Sequence, residues 1–153
     1  MKTVRLTKGY VSLVDDEDYD RVTEVGPWHA RVDVHTVYAE NSSSQAMHRF
    51  ILGITDPKVE VDHRLGNGLD NQRANLRTAT RTQNAQNRLK NKGHLYKGVT
   101  WNVKDQKWRA QIRALGKKIY LGSFNTALEA AAAYDAAALK YHGEFALTNA
   151  ASA

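Results

Sequence analysis

Between Val61 and Asn87 the chain reads VDHRLGNGLDNQRANLRTATRTQNAQN, and the side chains able to do chemistry crowd into it. Asp62 and His63 are adjacent, Asn75 follows His63 by 12 residues, and Asn84 follows Asn75 by 9. A carboxylate is a hard oxygen ligand, an imidazole is a base near neutrality, and two amides can be fixed in place. Together these are the parts needed to hydrolyse a phosphodiester with one divalent metal ion. After Asp70 no acid occurs until Asp105, while Arg73, Arg77, Arg81, Arg88, Lys90, Lys92, Lys97 and Lys104 accumulate. A metal site opening onto an acid-free basic run points to a nuclease.

The elements around these residues must deliver them. Lys58 to Asp62 reads as a short strand, Gly66-Asn67-Gly68 as a tight loop, and Leu76 to Ala79 as a returning strand. Thr80 and Gln83 have capping-box spacing, which predicts a helix through Asn84 and Asn87. Successive residues of a strand point to opposite faces, so the first strand must end at Asp62-His63 if both are to serve one site. Upstream, Val4, Leu6 and Tyr10 to Val14 suit strands around Lys8-Gly9, and Asp15 to Asp20 can open a short helix. Trp28, Ala30, Val32 and Val34 alternate as a half-buried strand, with a turn near His35-Thr36 and a return through Val37 and Ala39.

From Gly98 three strands follow one another, marked by Val99 and Trp101, by Trp108, Ala110 and Ile112, and by Ile119 and Leu121. Thr126 and Glu129 repeat the capping-box signature, and Gly143 is a stop. The alanine-rich helix between them places Leu128, Ala131, Tyr134, Ala138 and Tyr141 at near-helical spacing. Trp101 and Trp108 read as core residues.

Composition narrows the classes. The 153 residues are 42% hydrophobic and 25% charged, the profile of a globular protein. No apolar run is long enough to span a membrane, and the absence of cysteine excludes disulfides and thiolate zinc. A cytoplasmic location is the default. The net charge of +6 is uneven: residues 1–46 hold five Lys/Arg against eight Asp/Glu, the remainder seventeen against eight. Such clustering favours a polyanionic partner over a merely solvated face.

The words MHRFILG, VDHRLGNGLDN, NLRTAT and RTQNAQN resemble the HNH endonucleases of the ββα-metal type, in particular small homing enzymes of phages. LTKGYVSLVDDEDYD is similar to the leader of that family, and Asp62 stands at the first H of the name. The resemblance implies that Asp62 and Asn84 bind one Mg²⁺ or Mn²⁺. It makes His63 the general base, with Asn75 holding the loop and orienting it; His48 and Asn87 are possible accessory residues.

Residues 97–149, through YKGVTW, KWRAQI, IYLGSFNTALEAAAAYDAAA and HGEFALTN, resemble the Apetala-two/ethylene-response-factor DNA-binding domain. That implies three antiparallel strands on one helix, with an open sheet face entering a major groove. Lys107, Arg109, Gln111, Arg113, Lys118 and Tyr120 project from that face, with Thr100 and Asn102 where plant members carry arginines. Arg109 and Arg113 suit guanine or phosphate, Gln111 suits adenine, and Lys107, Lys117 and Lys118 suit phosphate. Arg73, Arg77, Arg81, Arg88 and Lys97 complete the expected DNA contacts.

The expectation is an α+β protein with an endonuclease domain at 1–88, comprising a β-rich leader (1–46) and a ββα core (58–88). A basic linker (89–97) and a DNA-binding domain (98–149) follow. It is expected to nick or cleave double-stranded DNA as a monomer or weak dimer, in a phage-encoded or bacterial cytoplasmic setting. The alternatives are a DNA-binding regulator whose catalytic unit is inactive, and an RNA-binding module.

Overall fold

Short strands paired as hairpins dominate the first part of the chain, and one small sheet under one long helix makes the second. The computed structural model describes residues 1–87 and 93–152. By contacts the chain divides into residues 1–84 and 85–153. Of the expected linker, residues 89–92 lie outside the described residues, as does Arg88. Its end belongs to the second unit, where the Lys97 amide donates to Asn149 Oδ1 at 2.6 Å.

In the first unit, β1 (Lys2–Arg5) pairs antiparallel with β2 (Val11–Val14). The turn between them is made possible by positive φ at Lys8 and Gly9. Helix α1 (Asp16–Glu24) opens with Asp16, Glu17 and Asp18 at the positive end of its dipole. Strands β3 (Trp28–Val32) and β4 (Val37–Asn41) form the second hairpin, shorter than expected because the first strand stops before Val34. Met47–Leu52 is a short helix, α2, closed by Gly53 with φ 66°; an apolar run of this length carries no periodicity that separates strand from helix. Strands β5 (Glu60–His63) and β6 (Leu76–Ala79) pair antiparallel, and α3 (Arg81–Gln86) follows. Thr80 and Gln83 form the expected cap, the Thr80 amide and hydroxyl both donating to Gln83 Oε1. The core joins Val4, Val14, Val22, Trp28, Met47, Ile51, Val61 and Leu76.

In the second unit, β7 (Val99–Asn102), β8 (Lys107–Ala114) and β9 (Lys117–Phe124) form an antiparallel sheet with β8 in the centre. Helix α4 (Ala127–His142) lies on one face, opened by a full capping box between Thr126 and Glu129 and closed at Gly143. Val99, Ala110 and Ile112 from the sheet meet Ala130, Ala131, Tyr134, Ala137 and Ala138 from the helix. Methyl side chains on the helix let it approach the sheet closely. Gly98 makes the same point from the other side: at φ 72°, a Cβ there would sit 2.1 Å from the Tyr134 ring.

Leu128 does not join this stripe and is 68% exposed. At 3.6 residues per turn it lies about 120° from the centre of the buried stripe, so the apolar face is narrower than the sequence spacing suggested. Among the described residues no helix is long and apolar enough to cross a membrane.

Candidate nucleic-acid interface

Of the four residues expected to carry catalysis, Asp62, His63 and Asn84 are turned to other partners, while Asn75 holds the loop. Strand β5 runs through Asp62 and His63 without ending between them, so the two side chains leave opposite faces. Asp62 stands opposite Arg77 in the β5–β6 register, and Arg77 grips its Oδ2 with Nε at 2.8 Å and Nη2 at 2.6 Å. Both side chains are buried. A divalent ion on Asp62 would have to displace or abut this guanidinium, so the donor set does not suit a metal as arranged. Asn84 turns its Nδ2 to Glu60 Oε2 at 2.6 Å. No group of three or more His, Cys, Asp or Glu is placed to share a metal ion among the described residues.

His63 lies on the other face, its ring 5.0 Å from that of His48 and 5.8 Å from that of Tyr38. Its Nε2 meets Asn71 Oδ1 at 3.2 Å, while Asn71 Nδ2 donates to Ser12 Oγ at 2.8 Å. That orientation of the amide makes Nε2 the proton-bearing donor and places the lone pair of the neutral ring on Nδ1. Burial pushes the His63 pKa down, against the raising effects of Asn71, Asp62 and Asp70. Burial likewise takes His48 down to about 3, helped by His63, Arg49 and Arg31. Asn75 bridges the loop, accepting from the Leu65 amide at 2.9 Å and donating to the Asp70 carbonyl at 2.8 Å. Asn87 is buried just beyond α3. Asn71, fully buried, was not singled out in the sequence because an asparagine after Asp70 reads as one more turn residue.

The basic run of the first unit is also spent internally. Arg73 donates to both oxygens of the buried Asp18, with Nε at 2.7 Å and Nη2 at 2.8 Å, and also meets Glu17. Arg77 is the partner of Asp62. Both guanidiniums tie elements of the unit together, because acids distant in sequence, such as Asp18, are near in space. Arg81 alone of the three is an exposed cation in α3. Lys97 is engaged as well: its Nζ donates to the Gln86 carbonyl at 2.6 Å, and burial lowers its pKa to about 8.

The open face of the β7–β8–β9 sheet is different. Residues facing away from α4 form cross-strand rows: Asn102 opposite Lys107, Thr100 opposite Arg109 opposite Ser123, Gln111 opposite Tyr120, and Arg113 opposite Lys118. A bulge between Ala110 and Gln111 shifts the register, which keeps Tyr120 rather than Leu121 on this face. Lys107, Arg109, Arg113, Lys118 and Tyr120 are exposed, and Gln111 is half-buried. Of the four acids in residues 85–153, Glu129 caps α4 and Asp135 holds the amides of Asn149 and Ala150. Asp105 alone is placed at the sheet, beside Arg109. Tyr120 and Ser123 hydroxyls share a hydrogen bond of 2.7 Å. Trp108 packs against the helix side, but Trp101 is 46% exposed with its ring edge-on to Trp108 at 5.2 Å, so only one of the two is core.

Comparison with known proteins places this sheet. Residues 94–144 match the AP2 domain, and this part of the chain is an AP2 DNA-binding domain. The chain is 50% identical over 56 residues to the ethylene-responsive transcription factor WRI1 of Arabidopsis thaliana, covering 35% of this chain and 13% of that protein. It is 49% identical over 57 residues to the AP2-like ethylene-responsive transcription factor ANT of the same plant, covering 36% and 10%. APETALA2-like protein 2 of Oryza sativa is 48% identical over 48 residues, covering 31% and 11%. The chain thus spans about a tenth of the length of these relatives. The first two are named as transcription factors, a finding that overturns the expectation of an endonuclease. Nothing in the comparisons supports an HNH unit or a phage origin.

Proposed function

We propose that the chain is a sequence-specific DNA-binding regulator, which reads duplex DNA through the open face of the β7–β8–β9 sheet. The observation that carries this reading is the face itself. Lys107, Arg109, Arg113 and Lys118 are exposed on two paired strands, in the segment that matches the AP2 domain. A two- or three-stranded ribbon fits a major groove, where guanine presents N7 and O6 to an arginine and adenine presents N6 and N7 to a glutamine. Arg109 and Gln111, near the middle of the central strand, take the bases. Lys107, Arg113 and Lys118, nearer the strand ends, take phosphates, with Thr100, Asn102 and Tyr120 adding polar contacts. In the first unit, Arg73 and Arg77 are engaged in ion pairs within that unit.

The test is selection by the full chain from a randomised duplex pool. Enrichment of a discrete sequence, bound at least about 10³-fold tighter than the unselected pool, is expected. Lys118→Ala should reduce the dependence of log K on log salt by about 0.9 while sparing the preferred sequence. An unenriched pool, or tighter binding to single-stranded RNA than to any duplex, would sink the reading.

A further inference from the structure

The acid-poor sheet face carries one carboxylate, and its position is specific. The β7–β8 turn is organised by the Asn102 side chain, whose Oδ1 accepts from the Lys104 amide at 3.2 Å and whose Nδ2 donates to Asp105 Oδ2. The same Asp105 Oδ2 accepts from Arg109 Nη2, four residues on in the central strand. Arg109 and Asp105 are 47% and 41% exposed, so the pair contributes little to stability. Its effect falls on the guanidinium instead. An arginine on an exposed strand sweeps a wide arc and settles on whichever phosphate is nearest; one held by a carboxylate is fixed in one orientation. A carboxylate also repels the backbone and so keeps the held guanidinium off phosphate. Of its five N–H donors, one is engaged by Asp105, and the rest remain for a base edge.

We propose that Asp105 is a specificity-determining positioning residue, which holds Arg109 for bidentate contact with a guanine in the major groove and denies it to phosphate. The proposal rests on the sheet being the DNA-reading face. Arg109 then reads sequence, whereas Arg113 and Lys118, which have no acid beside them among the described residues, supply affinity. The same residue type thus does two jobs on one face, separated by the presence of Asp105.

Two duplexes test it: the one recovered by selection with the wild-type full chain, and a scrambled version of it. The wild type should prefer the selected duplex strongly. Asp105→Ala should lower the ratio of the two affinities by at least about tenfold, the scale of one bidentate base contact. Binding to the scrambled duplex should hold or tighten, with a salt dependence steeper by about 0.9 as Arg109 is released to phosphate. Arg109→Ala should lose the same discrimination, and the double variant no more than either single one. Asp105→Asn, which keeps an oxygen for Arg109 and the turn, should retain an intermediate ratio and an unchanged thermal midpoint. If Asp105→Ala and Asp105→Asn both keep the full ratio, Asp105 only shapes the turn and the proposal fails while DNA binding stands. If the two single losses simply add, Arg109 is not held by Asp105 and it fails likewise. If the wild type binds no duplex, both readings fall together.

Discussion

The two units spend the same residue types in opposite ways. Residues 1–84 contain eleven Lys/Arg and twelve Asp/Glu, residues 85–153 eleven and four. In the first unit arginines are structural: Arg73 holds Asp18, and Arg77 holds Asp62 inside a β-hairpin. In the second, three of the four acids lie on or just after α4 and only Asp105 stands at the sheet, so among the described residues Lys107, Arg113 and Lys118 have no acid partner. Charge in a sequence is therefore not charge on a surface. What decides between a tie and an interface is whether the fold brings an acid to each cation.

The sharpest break in that contrast is Arg77→Ala. Removing one partner of a buried pair leaves the Asp62 carboxylate uncompensated, which costs about 3–5 kcal/mol. Urea unfolding followed by amide NMR signals should show the first unit melting early, with the AP2 domain and its DNA affinity unchanged. Replacing both partners together, Asp62→Leu with Arg77→Met, should recover most of the loss, because well-packed apolar groups need no compensation. A small effect of Arg77→Ala would mean that water reaches the pair.

The second unit has its own weak point in backbone geometry rather than charge. Gly98→Ala forces an L-residue to φ 72° and a methyl into the Tyr134 ring. Strain and overpacking together predict a loss of about 2–4 kcal/mol, confined to the AP2 domain and accompanied by weaker DNA binding as the sheet loosens. Thermal unfolding of the two units, resolved in the same way, measures it.

Acid separates the units as well. His48 is neutral in the folded first unit with its pKa near 3, and His63 is shifted in the same direction, both by burial. A histidine whose folded pKa lies below its unfolded value near 6.5 leaves the unfolded chain binding more protons between those values. Stability is therefore full above about pH 6.5 and falls as pH drops towards 3, for His48 by about 1.4 kcal/mol per pH unit in the steep range. Lowering pH from 7 to 5.5 should destabilise the first unit, and His48→Gln should flatten that profile. An unchanged slope in the variant would mean that His48 is solvated.

Much of the fold could be read from local pattern. The β1–β2 and β3–β4 hairpins, the β5–β6 pair, the three-stranded sheet and both capping boxes follow from alternation, turn residues and Thr-x-x-Gln or Thr-x-x-Glu spacing. The open sheet face was legible for the same reason, since strand alternation fixes which residues share a face. The partners of the first unit were not. That Arg77 faces Asp62 depends on the β5–β6 register, and that Arg73 reaches Asp18 depends on a contact 55 residues apart. An Asp-His pair with two asparagines looks reactive in one dimension; a guanidinium on the aspartate and an amide on the histidine appear only in three. Asp105 was visible merely as the end of an acid-free run, because its tie to Arg109 spans a turn whose shape is set by the Asn102 side chain.

The mildest perturbation compares two arginines directly. Arg73→Ala removes a guanidinium from the buried Asp18, which keeps Arg21 at 2.9 Å. With one partner retained, the loss should be about 1–2 kcal/mol of first-unit stability, with DNA affinity and salt dependence untouched. Arg113→Ala removes an exposed cation with no acid partner among the described residues, so stability should hold within about 0.5 kcal/mol. Its cost should appear instead as weaker duplex binding and a salt dependence shallower by about 0.9. Denaturation and anisotropy titrations on the two variants give four numbers, and the contrast requires them to cross. If Arg73→Ala weakened DNA binding without destabilising its unit, the division between ties and interface would be wrong, because an internally paired arginine would then be reaching the nucleic acid.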